Sequence, residues 1–202
     1  MSESEIETLI KYPNEERYLE FKRSIRWDGD IRAKIAKSIM ALANLRDGGW
    51  IVIGKEEQTD NSFKSVGMTP QDYDSFDSDN VKAYVYERTQ PPVSFEVIKK
   101  EYEDRKFILI KVKEFDDTPI ICKKSYDDIL HAGNIYVRSM SKPESVAVPS
   151  DAEMREIIEI AIDKGVTKFV HRLQRTGIWA PKEQAPVGDD EEEYKKQRAD
   201  LS

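Results

Sequence analysis

An α/β fold, built as a mixed β-sheet packed with helices, is what the sequence predicts, and three features carry that prediction. Tyr18 to Lys22 alternates, with Leu19 and Phe21 on one face and Tyr18, Glu20 and Lys22 on the other, as a strand requires. Ile31, Ile35, Ile39, Leu42 and Ala43 then recur at helical spacing behind the turn-like Trp27-Asp28-Gly29-Asp30, with Asp30 as candidate N-cap. Gly48-Gly49 ends that helix and launches the β-branched run Trp50 to Ile53, which closes at Gly54. Strand, helix and strand in quick succession are the building unit of a sheet covered by helices.

The rest of the chain extends this reading. Residues 57–78 are polar and irregular, and Asp79 to Thr89 has the pattern of a short helix stopped by Pro91-Pro92. Ser94 to Ile98 and Lys106 to Val112 are strand candidates joined by a hairpin connection within Lys99 to Arg105. Ile120 to Lys123 and Ile135 to Arg138 complete the strands. Ser150 with Glu153 forms a capping-box pattern, and Met154, Ile157, Ile158, Ala161 and Ile162 make an apolar stripe ending near Gly165. Thr167 to Arg175 extends the packing as another short helix. The expected organisation is an N-terminal extension over 1–12, a folded domain over 13–165, a C-terminal helical extension over 166–180 and a mobile acidic tail over 181–202. No internal repeat is visible, and irregular turns outnumber the simple βαβ units of a doubly wound fold.

Composition narrows the functional classes. Charged residues make up 35% of the chain and apolar residues 39%, the balance of a globular protein with a heavily solvated surface. No run reaches the roughly 18 apolar residues of a membrane-spanning helix. The start MSESEIETLIKYP lacks the basic and then apolar order of a secretory signal. No membrane partner and a cytoplasmic location are therefore expected. Cys122 is the single cysteine, which excludes an internal disulfide and a cysteine-based zinc cluster.

A formal charge of -7 argues against a general nucleic-acid coat. That charge is concentrated at the ends, where Glu3, Glu5 and Glu7 face Lys11 alone. Glu183, Asp189, Asp190, Glu191, Glu192, Glu193 and Asp200 likewise outnumber Lys182, Lys195, Lys196 and Arg198. Residues 13–181 are close to balanced, so a local nucleic-acid site is compatible with the overall acidity.

Gly49-Trp50-Ile51-Val52-Ile53-Gly54-Lys55 matches most of a phosphate-binding loop, but Glu56 stands where serine or threonine would meet magnesium. The residues between the two glycines favour an extended strand over an amide cradle, so the match is read as false. His131 and His171 are too isolated for a metal triad. Trp27, in an apparent loop, is placed either to stack on a base or to cover the edge of the core, and Trp50 belongs to the core or its rim.

Glu15, Glu20, Glu56 and Glu57 carry the most chemical content. Glu20 projects from the first strand, and Glu56 and Glu57 follow the strand that begins at Trp50, so adjacent strands would bring carboxylates within reach of one metal ion. A divalent cation relieves their repulsion and lowers the pKa of bound water, which suits phosphodiester cleavage. Solvated turn residues and an exposed strand end are the competing reading. Lys22 and Arg23 follow Glu20 directly, Lys34 and Lys37 lie three residues apart on the predicted helix, and Arg138 ends its strand. All five are candidates for phosphate contacts, against the competing reading of ordinary surface basicity.

These fragments, in this order, resemble the AlbA-type domain of the Schlafen family over residues 15–157. The resemblance rests on Glu15 with Leu19-Glu20-Phe21-Lys22, and on Ile39-Met40-Ala41-Leu42-Ala43-Asn44 leading into Gly48-Gly49-Trp50-Ile51-Val52-Ile53-Gly54. Ile135-Tyr136-Val137-Arg138-Ser139 and the helix beginning at Asp151-Ala152-Glu153 complete it. It implies a Schlafen AlbA-type fold and two functional expectations. Bacterial and archaeal members are described as DNA-binding or regulatory proteins, whereas animal relatives include endoribonucleases acting on transfer RNA and other structured RNA.

In those nucleases two glutamates five residues apart combine with an acidic residue just after the glycine-led strand. The resemblance therefore implies Glu15, Glu20 and Glu57 as catalytic residues holding Mg2+ or Mn2+, with Glu56 replacing Glu57 if the register shifts by one. The third acid departs from the nuclease pattern, which has aspartate there. The nucleases also combine two lobes where this chain holds one, a difference a homodimer would remove. The leading expectation is a metal-dependent endonuclease cleaving structured RNA such as tRNA. The alternative is a non-catalytic DNA- or RNA-binding domain, regulatory or defence-associated, and the acidic tail offers a site for a protein partner.

Overall fold

The computed structural model describes residues 3–177, and the chain divides into two compact units, residues 1–162 and residues 163–202. In the first unit, helix α1 (Glu3–Lys11) precedes strand β1 (Leu19–Lys22), helix α2 (Gly29–Ala43) and strand β2 (Gly49–Ile53). Short strands β3 (Lys55–Glu57) and β4 (Phe63–Ser65) pair with each other, then helices α3 (Pro70–Ser75) and α4 (Ser78–Arg88) follow. Strand β5 (Thr89–Gln90) leads to the long hairpin of β6 (Phe95–Tyr102) and β7 (Arg105–Val112). Strands β8 (Ile121–Cys122), β9 (Tyr136–Arg138) and β10 (Ser145–Ala147) precede helix α5 (Asp151–Arg175).

The main sheet has the order β1-β2-β7-β6, with β1 and β2 parallel and the other pairs antiparallel. This is the mixed sheet packed with helices that the sequence predicts. The parallel pair aligns Leu19 with Trp50 and Lys22 with Ile53, joined by the crossover helix α2. Between α2 and β2 the chain turns at Gly48, whose φ of 72° lies in the left-handed region and whose missing Cβ would sit 2.2 Å from the Val112 carbonyl oxygen. The β6–β7 ladder closes at Tyr102 and Arg105 through Glu103 and Asp104, both at positive φ, the conformation that matches strand twist in a two-residue hairpin.

Strand alternation divides the core between the two faces of the sheet. Ile51, Ile53, Ile108, Ile110 and Val112 pack with the Ile35, Ile39 and Leu42 stripe of α2. Leu19, Phe21, Val52, Phe107 and Leu109 face the other way and are joined by Ile10 of α1, which is fully buried. Within the stretch expected as an N-terminal extension, α1 packs Ile10, with Ile6 and Leu9, against this face of the sheet. Burying one isoleucine side chain contributes about 1.5–3 kcal/mol.

A buried lysine fixes that helix. Lys55 Nζ donates to the carbonyls of Ile10 (2.8 Å) and Tyr12 (2.6 Å), which close the C-terminal end of α1. It also reaches Ser65 Oγ at 3.3 Å and lies 4.5 Å from the centre of the Phe21 ring. A cation at a helix C-terminus satisfies carbonyls that have no intrahelical partner. Burial pushes the Lys55 ammonium down to about 8. The rejected phosphate loop is therefore accounted for: its glycine-bounded run is strand β2, and its lysine is engaged on α1.

Asn44 ties the later strands to the end of α2. Its Nδ2 donates to the Ile120 and Tyr136 carbonyls, each at 2.9 Å, and its Oδ1 accepts from the Ile120 amide at 2.7 Å. Helix α4 begins at Ser78, capped by Asp77 through the Asn80 amide. Helix α5 is continuous from Asp151 to Arg175, where two helices separated near Gly165 are expected. Gly165 has a helical neighbourhood open to solvent and does not break it. Residues 163–175 of α5 belong to the second unit. The expected acidic tail, 181–202, lies outside the described residues.

Candidate nucleic-acid interface and carboxylate site

Glu20 is the centre of the site. Alternation along β1 sends Leu19 and Phe21 to the α1 face, so Glu20 points beneath α2 and is only 3% exposed. Ser38 of α2 donates to its Oε1 at 2.8 Å, and Lys22 Nζ lies 2.5 Å from the same oxygen. Arg138, from β9 and itself 1% exposed, donates Nη1 to Oε2 at 2.7 Å. Ser145 Oγ of β10 reaches that oxygen at 3.5 Å. Burial by itself pushes the Glu20 carboxyl up. The Lys22 and Arg138 cations, with hydrogen bonds from Lys22 and Ser38, outweigh burial and hold it below its ordinary value.

Arg138 is further locked from its backbone side. Its Nε donates to the Arg17 carbonyl at 3.2 Å, and Arg17 Nε returns a bond to the Arg138 carbonyl at 2.9 Å. Arg17 also forks onto Glu156 of α5, at 2.9 and 2.5 Å. The entry to β1, strand β9 and the first part of α5 are thereby stitched around one buried charge pair. Arg138 Nη2 is buried and has no hydrogen-bond partner among the described residues.

Glu15 lies beside this pair. Its Oε1 accepts from the Phe21 amide at 2.6 Å, which holds the β1 entry loop against the strand. Burial pushes the Glu15 carboxyl up and the nearby Glu20 charge adds to the rise, against the Phe21 amide, Lys22 and Arg138. Glu57 is placed differently: it is exposed on β3 opposite Phe63, and Glu56 is exposed opposite Lys64. Among the described residues no group of three or more His, Cys, Asp or Glu side chains is gathered as a metal site requires. Glu20 has both oxygens engaged by Ser38, Lys22, Arg138 and Ser145, so little acceptor capacity is left for a cation. In this arrangement Glu57 stands apart on the β3–β4 ribbon and Glu20 is engaged by protein groups, so the three glutamates are not gathered around one point.

The basic candidates divide in the same way. Arg23 and Lys34 are exposed and Lys22 keeps a third of its side chain open. Lys34 sits one turn before Ser38, the α2 residue that donates to Glu20. Lys37 is half-buried with its ammonium 5.2 Å from the centre of the Tyr136 ring. Arg138 departs from the expected surface role, because at 1% exposure its guanidinium serves Glu20 instead of solvent. Trp27 covers the core edge: it is 8% exposed and packs against Phe76 and Tyr84, at 5.5 and 5.8 Å between ring centres. Cys122 is buried, and burial raises its thiol. His131 and His171 are both exposed.

Ser38, Ser145 and Arg17 complete the site without any signal in the sequence that singles them out. Ser38 alone has a positional hint, since it stands at the buried end of the Lys34 turn. Chemically, the site is a desolvated carboxylate engaged by two cations, and Arg23 and Lys34 are exposed next to Lys22 and one turn from Ser38 in the sequence.

A family model described as Schlafen, AlbA_2 matches residues 15–147, a span that contains β1 through β10. Among solved structures, the DIP2311 protein from Corynebacterium diphtheriae is 17% identical with a TM-score of 0.44, covering 65% of this chain and 22% of that one. This chain thus spans about a fifth of that protein's length. The N-terminal domain of a putative ATP-dependent DNA helicase RecG-related protein from Nitrosomonas europaea is 19% identical with a TM-score of 0.41, covering 67% of this chain and 86% of that one. No curated protein matches the chain. No helix of the described residues is long and apolar enough to cross a membrane. With the match spanning the whole main sheet and the strands that hold Arg138 against Glu20, the chain belongs to the Schlafen AlbA_2 family.

Proposed function

We propose that this domain binds nucleic acid, with phosphates held along a basic rim made by Lys22 and Arg23 at the end of β1 and by Lys34 on α2. The observation that carries this reading is the fate of the Glu20 charge. A buried carboxylate held by both Arg138 and Lys22 leaves that cluster with one positive charge in excess, and Arg23 and Lys34 are exposed to face an anion. Lysine and arginine contacts to phosphate give affinity and orientation without sequence information. Family membership is consistent with that use.

Fluorescence anisotropy with labelled tRNA, single-stranded RNA and duplex DNA across a salt series tests the reading. Binding is expected to weaken with salt. Replacing Lys22 and Arg23 by alanine is expected to lower the log-log slope by about 0.7–0.9 for each phosphate that the missing side chain neutralised. No binding to any polymer at low salt overturns it.

Metal-dependent endonuclease activity on structured RNA is the second reading, and Glu15 favours it. A carboxyl raised by burial beside a second buried glutamate is the kind of perturbed pair found at reactive sites. The same polymers incubated with Mg2+ or Mn2+, with EDTA and Glu15→Gln as controls, separate the two. Cutting that disappears in both controls supports catalysis, and intact substrate with measurable binding supports recognition alone.

A further inference from the structure

A second polar concavity lies where the β1–α2 connection meets the α3–α4 turn. It has a volume of about 680 Å³ and is lined by Arg26, Trp27, Asp28, Arg32, Ser75 and Asn80. Three independent features of it point to one ligand chemistry. First, Arg32 Nε is buried and has no hydrogen-bond partner among the described residues, although the guanidinium is held in place 5.3 Å from the centre of the Tyr84 ring. Stacking on Tyr84 sets the orientation of the half-buried guanidinium in the wall of the concavity before an acceptor from outside the chain arrives. Second, Arg26 is exposed and pairs with Asp28 at 3.5 Å, with both side chains more than 60% open, an arrangement that exchanges easily for a stronger anion.

Third, the concavity opens at the N-terminus of α2, a 15-residue helix whose N-cap Asp28 makes no side-chain capping bond. The Ile31 and Arg32 amides bond to the Asp28 carbonyl, while the Gly29 and Asp30 amides are not used in that turn. Amides at the positive end of a helix with two guanidiniums beside them form an oxyanion cradle. The remaining liners are occupied with structure, since Ser75 Oγ accepts from the Trp27 amide at 2.9 Å and donates to the Asp72 carbonyl at 2.5 Å. They hold Trp27 and the α3–α4 turn as the walls of the concavity.

We infer that this concavity is a binding site for a phosphate monoester dianion, gripped by Arg26, Arg32 and the first amides of α2. It deepens the nucleic-acid reading and rests on it in one respect: Lys22, Arg23 and Arg26 run along the chain from the Glu20 rim to the concavity, so a strand held on the rim brings a terminal phosphate toward Arg32. A mononucleotide presents the same dianion. Asp28 is the one carboxylate in the lining, and it competes with the ligand for Arg26.

Titration of the full 202-residue chain with three probes decides the matter: a 5′-phosphorylated oligonucleotide, the same oligonucleotide with a 5′-hydroxyl, and a nucleoside monophosphate. The 5′-phosphorylated strand is expected to bind about tenfold more tightly than the hydroxyl form. That preference is expected to disappear in Arg32→Gln and in the exposed variant Arg26→Ala, and to increase in Asp28→Asn. Because Arg26 and Asp28 are both exposed, those two variants keep the test open if Arg32→Gln is destabilised. Nucleoside monophosphate binding that follows the same order, without a preference between the strands, supports the dianion site with a free nucleotide as its source. Equal binding of both strands with no mononucleotide binding overturns the site and leaves the nucleic-acid reading standing. Binding of the phosphorylated strand that is indifferent to all three substitutions also overturns it.

Discussion

Removing Arg138 is the sharpest test of how this domain is held together. The Glu20–Arg138 pair joins β1 to β9 with side chains 4% and 1% exposed, so neither charge has recourse to water when the other is lost. Breaking a buried pair by deleting one partner costs about 3–5 kcal/mol. Lys22 remains beside Glu20 and is a third open, which places Arg138→Ala at the lower end, about 3 kcal/mol. A domain of this size has about 5–15 kcal/mol in total, so the variant is expected to remain folded with a much lower urea midpoint.

Urea unfolding followed by far-ultraviolet circular dichroism gives the number. Glu20→Gln and the double variant Glu20→Gln/Arg138→Ala complete the cycle, and because the double variant leaves no unpaired buried charge it is expected to be more stable than the sum of the single losses by at least about 1 kcal/mol. An Arg138→Ala loss under about 1 kcal/mol, or strict additivity in the cycle, would show that the pair is not the buried lock described above.

Two further outcomes follow from perturbed groups. The Glu20 carboxyl lies below its ordinary value of 4.5 in the folded chain, so the unfolded state binds the proton first on acidification. Its stabilisation is present above pH 4.5 and is lost as pH falls through the folded value. Glu15, raised by burial, acts in the opposite sense as pH climbs above 4.5. Glu20→Gln is expected to flatten the acid limb of the stability profile, and an unchanged limb would remove Glu20 as its source. Lys55 titrates in the folded state near 8 against 10.5 when unfolded. Over that window only the unfolded state holds the proton, and stability rises with pH. Relative to Lys55→Met, the native chain is expected to gain about 3 kcal/mol between about pH 7.5 and 10.5, measured by denaturant unfolding at each pH. A flat difference refutes the depressed ammonium.

The central crossover was legible because local rules and tertiary packing agree there. Alternation over Tyr18–Lys22, the α2 stripe and the β-branched run before Gly54 each carry one period, and each forms the element that period predicts. The resemblance to the Schlafen AlbA-type domain drew on the same residues. Helix α1 escaped notice because its apolar residues, Ile6, Leu9 and Ile10, are few and sit in an acidic stretch, although their spacing is helical. Length alone did not reveal that the sheet has a second face to cover.

Charge partners at long range were the other blind spot. Glu20 and Arg138 are 118 residues apart, and each taken alone reads as a surface group. Only the fold decides that the carboxylate is paired with cations instead of gathered with other acids. Strand pairing explains the position of Glu57 too: β3 leaves the sheet to pair with β4, carrying Glu56 and Glu57 onto a separate exposed ribbon. Placing Glu56 and Glu57 just after the strand that begins at Trp50 gave no sign of that departure.

The Lys55 anchor bears on where this protein can be cut. The family match begins at residue 15, beyond the whole of α1, and ends at 147, before α5. A fragment trimmed to those limits loses the Ile10 and Tyr12 carbonyls and strands a buried ammonium over Phe21. It also uncovers Leu19, Phe21, Val52 and Leu109 to water, a sticky patch of the kind that drives aggregation. At the other end it loses Glu156, the carboxylate that steadies Arg17 against Arg138. The stretch that kinship marks and the stretch that can fold by itself are therefore different lengths, and the flanks outside the match are what keep the shared part sealed from water.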